Sequence, residues 1–267
     1  MLRVRTTRGS GFRRVTDRFT DKGAFFVRFR PVFGESMLTP PFRTSTVRRM
    51  TDDRKSGLAL IAGSVGMIVT MVVHPHGMVS AAQVESMARN LTAVHSLAVA
   101  SLPLIVLGVL GLSQRLKGPD RLALAALVLF AFATVAVMNA AVMDGLVAPN
   151  VMRRMAEAGA SARESWGLVF RYNFEVNQAN ARLYAVASSL ALVLWSIAIV
   201  RTGALARGVG IYGCILGAVT VVAVASGKLR PDVHGFGAVI LGQGGWFVIV
   251  GALLWRWRET PRPAQME

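Results

Sequence analysis

Few residues in this 267-residue chain have the chemistry to bind or react, and they are unevenly placed. His74 and His76 sit in the run His74-Pro75-His76-Gly77, and His95 lies about one turn into the apolar stretch that follows. His234 stands beside Asp232, just before the last apolar stretch. Asn139 and Asp144 close a third stretch, and Asn173, Glu175, Asn177 and Asn180 lead into a fourth. Asn173, Asn177 and Asn180 are spaced i, i+4, i+7 and share one face of a helix, whereas Asn139 and Asp144, five apart, do not. Neutral imidazoles with a carboxylate form the donor set that Zn²⁺ or a similar divalent ion takes. The candidate metal ligands are therefore His74, His95, His234 and Asp144, with His76 close by in the same turn. Pro75 ends a helix, so His74 and His76 do not belong to a helix face. No HExxH run and no Cys/His pair with ligand spacing accompanies them. Histidines that merely hydrogen-bond loop backbone at helix ends are the plainer expectation. The expected cofactor is accordingly none, with zinc or another divalent metal as the alternative.

Two other chemistries compete for the same end of the chain. Arg153, Arg154, Arg171, Arg182, Lys228 and Arg230 lie near these polar groups. Together with three helix N-termini pointing the same way, they would favour an anionic ligand or lipid headgroup. A transport path instead needs polar groups near the middle of the membrane. The deepest such side chain is Gln243, flanked by Gly242, Gly244 and Gly245. That glycine-rich stretch reads as an unwound segment around a ligand or, more simply, as close helix packing. No phosphate-binding glycine loop, GxSxG elbow or Cys-x-x-Cys occurs, and Cys214 is the one cysteine. An intrachain disulfide is therefore impossible.

These groups must be positioned by six apolar stretches: Gly57–Val73, Leu91–Leu112, Leu122–Val142, Leu183–Val200, Gly208–Ala225 and Phe236–Trp255. None contains Lys, Arg, Asp or Glu. A membrane-spanning helix needs about 20 mostly apolar residues. The chain is 53% hydrophobic with a mean hydropathy of +0.49, which fits. The fold class expected is all-α: a polytopic transmembrane bundle of six spans. Between spans three and four, Val151, Met155, Gly159, Ala162, Trp166 and Phe170 recur at three- and four-residue spacing. That pattern predicts an amphipathic helix lying flat on the outer face, with Trp166 at headgroup depth. Gly213 and Gly217 form a GxxxG pair, a packing signal rather than evidence of a particular dimer.

The first 55 residues hold 14 Lys/Arg against 5 Asp/Glu, so net +9 of the total +16. Residues 1–50 are expected to be a basic, disordered tail, 51–257 the six-helix domain and 258–267 a short terminal tail. The tail could contact anionic lipid, act as a targeting peptide, or precede a natural start at Met37 or Met50. It lacks the aromatic interleaving of a nucleic-acid binder, so the partner expected is the lipid bilayer and not nucleic acid. Oligomeric state is not legible. Basic residues flank alternate span ends: Arg54 and Lys55; Arg115, Lys117 and Arg121; Arg201 and Arg207; Arg256, Arg258 and Arg262. The positive-inside rule puts these ends and both termini in the cytoplasm, and the histidines outside.

The run Ser56-Gly-Leu-Ala-Leu-Ile-Ala-Gly-Ser-Val-Gly-Met-Ile-Val leading to His74-Pro75-His76-Gly77 resembles the first span of small uncharacterised bacterial inner-membrane proteins. The lead Asn173…Asn177-Gln178 into span four is similar to theirs. The resemblance covers roughly residues 50–257 and implies a setting, the bacterial cytoplasmic membrane, but no activity and no catalytic residue. The arginine-, alanine- and glycine-rich composition points the same way. The function expected is an integral membrane protein that binds a small ligand, lipid or partner at its outer end. The candidate binding residues are His74, His76, His95, Asn139, Asp144, Asn173, Asn177, His234 and Gln243. A metal-dependent membrane enzyme using the histidines and Asp144 is the alternative, and a small-molecule transporter the second.

Overall fold

A long segment without charged side chains satisfies its backbone polar groups in a bilayer only by coiling into a helix, and each of the six stretches does so. The computed structural model describes residues 45–75, 81–118 and 121–256. All of them belong to one unit. The helices are α1 (Ser45–Val72), α2 (Val84–Arg115), α3 (Leu122–Val142), α4 (Ala148–Glu157), α5 (Ala160–Thr202), α6 (Arg207–Ala225) and α7 (Val233–Arg256). A short 3₁₀ turn precedes α2, one turn of π-helix (Met143–Val147) joins α3 to α4, and no strand occurs among the described residues. Six helical segments are long and apolar enough to cross a membrane, so the chain is a multi-pass helical membrane protein. The basic tail up to residue 44, His76 and residues 257–267 lie outside the described residues.

Side-chain placement agrees with a lipid setting. Along α3, the buried face carries Ala123, Ala126, Phe130, Ala133, Ala136 and Ala140, while Leu124, Val128, Phe132 and Val135 face outward. Small residues inside and large apolar ones outside is the reverse of a soluble helix. It is what helices need when lipid supplies no hydrophobic drive and backbones must approach closely. The α1–α7 contact shows how closely: a Cβ on Gly251 would lie 2.8 Å from the Gly57 carbonyl oxygen. Gly213 and Gly217 of α6 are spent in the same way against Ser196, Ser189 and Val193 of α5, within this one chain.

α1 packs between α2 and α7, α5 packs between α3 and α6, and α2 against α3 and α4 joins the two groups. Phe130, Trp195, Trp246 and Phe247 stack between α3, α5 and α7 with ring centroids 5.4–6.3 Å apart. Trp195 is fully buried, and its Nε1–H donates to Ser113 Oγ at 2.9 Å. An indole can be buried at low cost only with such a partner.

The predicted amphipathic helix does not exist as one element. Its residues are divided between α4 and the start of α5, with extended backbone at Ala158 and Gly159. α5 then runs unbroken for 43 residues, about 65 Å at 1.5 Å per residue, against a hydrocarbon core of about 30 Å. Residues 160–182 are therefore collinear with the span and cannot lie flat on the membrane that the same helix crosses. α4 and the N-terminal half of α5 instead form an antiparallel extension of spans three and four. Trp166 lies under the Arg154 guanidinium, 5.5 Å from ring centre to Cζ. The three- and four-residue spacing was correct, but it cannot register a reversal at a glycine that keeps the period.

Candidate metal centre

His74 and His95 reach one another because α1 and α2 are antiparallel neighbours. α1 stops at Val72, two residues before His74, where Pro75 forbids its continuation. His95 lies eleven residues into α2, whose N-terminal turns extend well before the apolar stretch. Asp144 comes from the π turn. Val137, Ala140, Ala141 and Asp144 are spaced i, i+3, i+4, i+7, so the inward face of α3 carries the carboxylate towards the bundle axis. The two imidazoles meet edge to face, centroids 5.1 Å apart at 83°. Both histidines are buried, and the Asp144 side chain is 30% exposed.

The hydrogen bonds fix the tautomers. His74 Nδ1 is 2.9 Å from the Pro75 carbonyl oxygen, and His95 Nδ1 is 2.8 Å from that of Leu91. A carbonyl only accepts, so each Nδ1 carries a proton and donates it. In the neutral rings both Nε2 atoms are then bare lone pairs. They point at one carboxylate oxygen: Asp144 Oδ2 is 3.3 Å from His74 Nε2 and 3.2 Å from His95 Nε2. Three acceptors converging in a partly buried site repel unless positive charge sits among them, either as protons on both rings or as a cation. Two ligands each about 2.05 Å from a tetrahedral ion stand about 3.3 Å apart, and the two nitrogen–oxygen separations, 3.3 and 3.2 Å, have room for such an ion. Among the described residues His74, His95 and Asp144 form the group able to hold a metal ion, with all three donor atoms within 4.8 Å. Each histidine also has the backbone hydrogen bond on its far nitrogen that fixes a metal-ligating imidazole.

The centre lines a cavity of about 70 Å³ walled by α1, α2, α3, α5 and α7. Met67, Thr70 and Met71 of α1, Asn177 and Gln178 of α5, and Asp232 and Phe236 around the start of α7 surround it. Among the described residues two carboxylates line it and no Lys or Arg does, which bears on the expected anion site. The helix termini bear on it too. α2 begins eleven residues before His95 and α5 seventeen before Asn177, or about 16 and 26 Å. A helix dipole is felt mainly within its first turn. Only α7 starts at the cavity, and Asp232 already caps it, accepting from Gly235 N–H at 2.8 Å. The lining suits a cation or a neutral group.

The remaining candidates separate. Asn177 lines the cavity. Asn173 is buried one turn before it on α5 but faces the π turn, donating from Nδ2 to the Met143 carbonyl at 3.1 Å. His234, expected among the ligands, is exposed at the start of α7 and stands outside the three-residue group. Asn139 is exposed on the outward face of α3. Gln243 is 1% exposed; its Nε2 donates to Ser189 Oγ at 2.9 Å and its Oε1 accepts from Tyr184 O–H at 3.3 Å. α7 is continuous through Gly242, Gly244 and Gly245, so no unwound segment exists there. Gly244 lets Ile68 of α1 approach and Gly242 lets Leu216 of α6 approach.

Sequence reasoning missed Thr92, Gly145 and the π turn. Met67, Thr70 and Met71, spaced i, i+3, i+4, were a readable sign that this face of α1 lines the cavity. Nothing in the sequence announces the π turn. No protein-family model, curated protein or solved structure matches this chain, so the chemistry of the centre rests on its own geometry.

Proposed function

We propose that this protein is a metal-dependent membrane protein. Its working centre is a divalent ion of the zinc type held by His74 Nε2, His95 Nε2 and the Asp144 carboxylate. The observation that carries the reading is the facing of two Nε2 lone pairs towards one carboxylate oxygen, with both Nδ1 protons committed to backbone carbonyls. Three protein ligands leave a fourth tetrahedral position, and that is how catalytic rather than structural zinc sites are built. Such an ion polarises a bound water or a carbonyl group. The cavity beside it supplies two amides, Asn177 and Gln178, and a mostly apolar wall. This favours hydrolytic chemistry on a small uncharged group over the binding of an anion. It also counts against a transport path through Gln243, which is already engaged at both ends of its amide.

The basic residues at alternate span ends support an orientation with both termini inside and the metal end outside, and the resemblance of the first span supports a bacterial cytoplasmic membrane as the setting. Elemental analysis of the detergent-purified full chain tests the centre. About one zinc or other transition ion per chain is expected, falling to background in His95→Ala and Asp144→Asn. A metal-free wild type that also fails to take up added Zn²⁺ would sink the reading.

A further inference from the structure

We propose that Thr92 and Asn173 are positioning residues of this centre, acting as a two-sided clamp that fixes the π turn and with it the Asp144 carboxylate. The inference rests on the metal reading above. In the turn Met143–Val147 the backbone is wider than in an α-helix, and the Ala148 N–H reaches back five residues to the Met143 carbonyl. Single π turns of this kind interrupt α-helices frequently at functional sites. Here two side chains from other helices hold it. Asn173 of α5 donates from Nδ2 to the Met143 carbonyl at 3.1 Å. Thr92 of α2 donates from Oγ1 to the Gly145 carbonyl at 2.9 Å. Met143 and Gly145 are the residues on either side of Asp144, so one donor secures the carbonyl of the residue before the ligand and the other the carbonyl of the residue after it.

Three further features make the clamp specific. Thr92 stands three residues before His95 on α2, so one turn of that helix carries both a ligand and the group that holds the opposite ligand in place. Gly145 has no side chain where α2 comes nearest, and a Cβ there would collide with Cβ of His95. The Asn173 amide is 5% exposed, and its Oδ1 is buried with no hydrogen-bond partner. Turning the amide over would set that oxygen against the Met143 carbonyl, so the donor bond alone accounts for its orientation. Returning the turn to regular α-helix would rotate the chain on one side of it by about 100° relative to the other, given 3.6 residues per turn. The clamp prevents that rotation.

Zn²⁺ affinity, measured by competition with a chromophoric chelator on the detergent-purified full chain, tests the clamp alongside the visible spectrum of the Co²⁺-substituted protein and the melting temperature without metal. Thr92→Val keeps the shape and removes the donor; Thr92→Ser keeps the donor. Thr92→Val and Asn173→Leu are each expected to weaken Zn²⁺ binding about 10- to 100-fold, as loss of an outer hydrogen bond to a ligand does, and to shift the Co²⁺ bands. Thr92→Ser should stay near wild type. Wild-type affinity and spectrum in Thr92→Val and Asn173→Leu, with only the melting temperature lowered, would overturn the clamp and leave the metal centre standing. A wild type that binds neither ion removes both. If Asn173→Leu does not accumulate, the Thr92→Val and Thr92→Ser pair decides alone.

Discussion

Gly145→Ala adds one methyl group at the tightest point of the centre, and its effect can be worked from the geometry. The new Cβ would lie 2.8 Å from Cγ of His95 and closer still to Cβ, where ordinary contacts are 3.4–4 Å. Both neighbours are anchored near their backbones, so no flexible side-chain end can give way. α2 and the π turn must separate by on the order of 1 Å, an overpacking that costs about 1–3 kcal/mol. The same movement carries His95 away from Asp144. A separation of 3.2 Å becomes one above 4 Å, at the limit that two ligand bonds of about 2.0–2.1 Å can bridge even in a straight line. The variant should therefore lose Zn²⁺ affinity by at least tenfold. Its melting temperature should fall, and the rise on adding Zn²⁺ should shrink further than the fall in the apo protein explains. Chelator competition and a thermal melt with and without Zn²⁺ read both. A Gly145→Ala protein that binds Zn²⁺ as wild type does would show that α2 and the π turn are not held at this spacing, and the reasoning would fail.

Other outcomes follow from the same structure. Among single histidine changes, His74→Ala and His95→Ala should each abolish stoichiometric metal while His234→Ala leaves it unchanged; metal loss in His234→Ala would return His234 to the ligand set. Gln243→Leu strands Tyr184 O–H and Ser189 Oγ in a dry interior and should cost about 1–3 kcal/mol, seen as a lower melting temperature. Its Zn²⁺ affinity should be unaltered, and a changed affinity would show that Gln243 belongs to the functional site. A reporter active only in the cytoplasm, fused after Glu267, should be active, whereas activity confined to a periplasmic reporter would invert the proposed orientation.

The six spans were legible because their cause is local. A run of about 20 residues without charge has one way to satisfy its backbone in lipid, and α3 begins and ends where the run does. The apolar stretch Leu183–Val200 is only the second half of α5: the polar segment before Leu183 keeps helical spacing, as Asn173, Asn177 and Asn180 indicate, and the chain reverses only at Ala158-Gly159. The alternation of spans also determined, without any coordinates, that His74, His95 and Asp144 share one end of the bundle. Tertiary structure alone decided the rest. Whether a residue on that end meets the cavity depends on the rotation of its helix, which packing sets: Asp144 turns in, Asn139 turns out, and His234 stays apart. The roles of the amides could not be told from their type, because Gln243 and Asn173 spend their hydrogen bonds on neighbouring helices that no sequence spacing connects. The π turn is decided last of all. It exists because donors 53 and 30 residues away in the chain hold two carbonyls, and only the folded bundle brings those donors there.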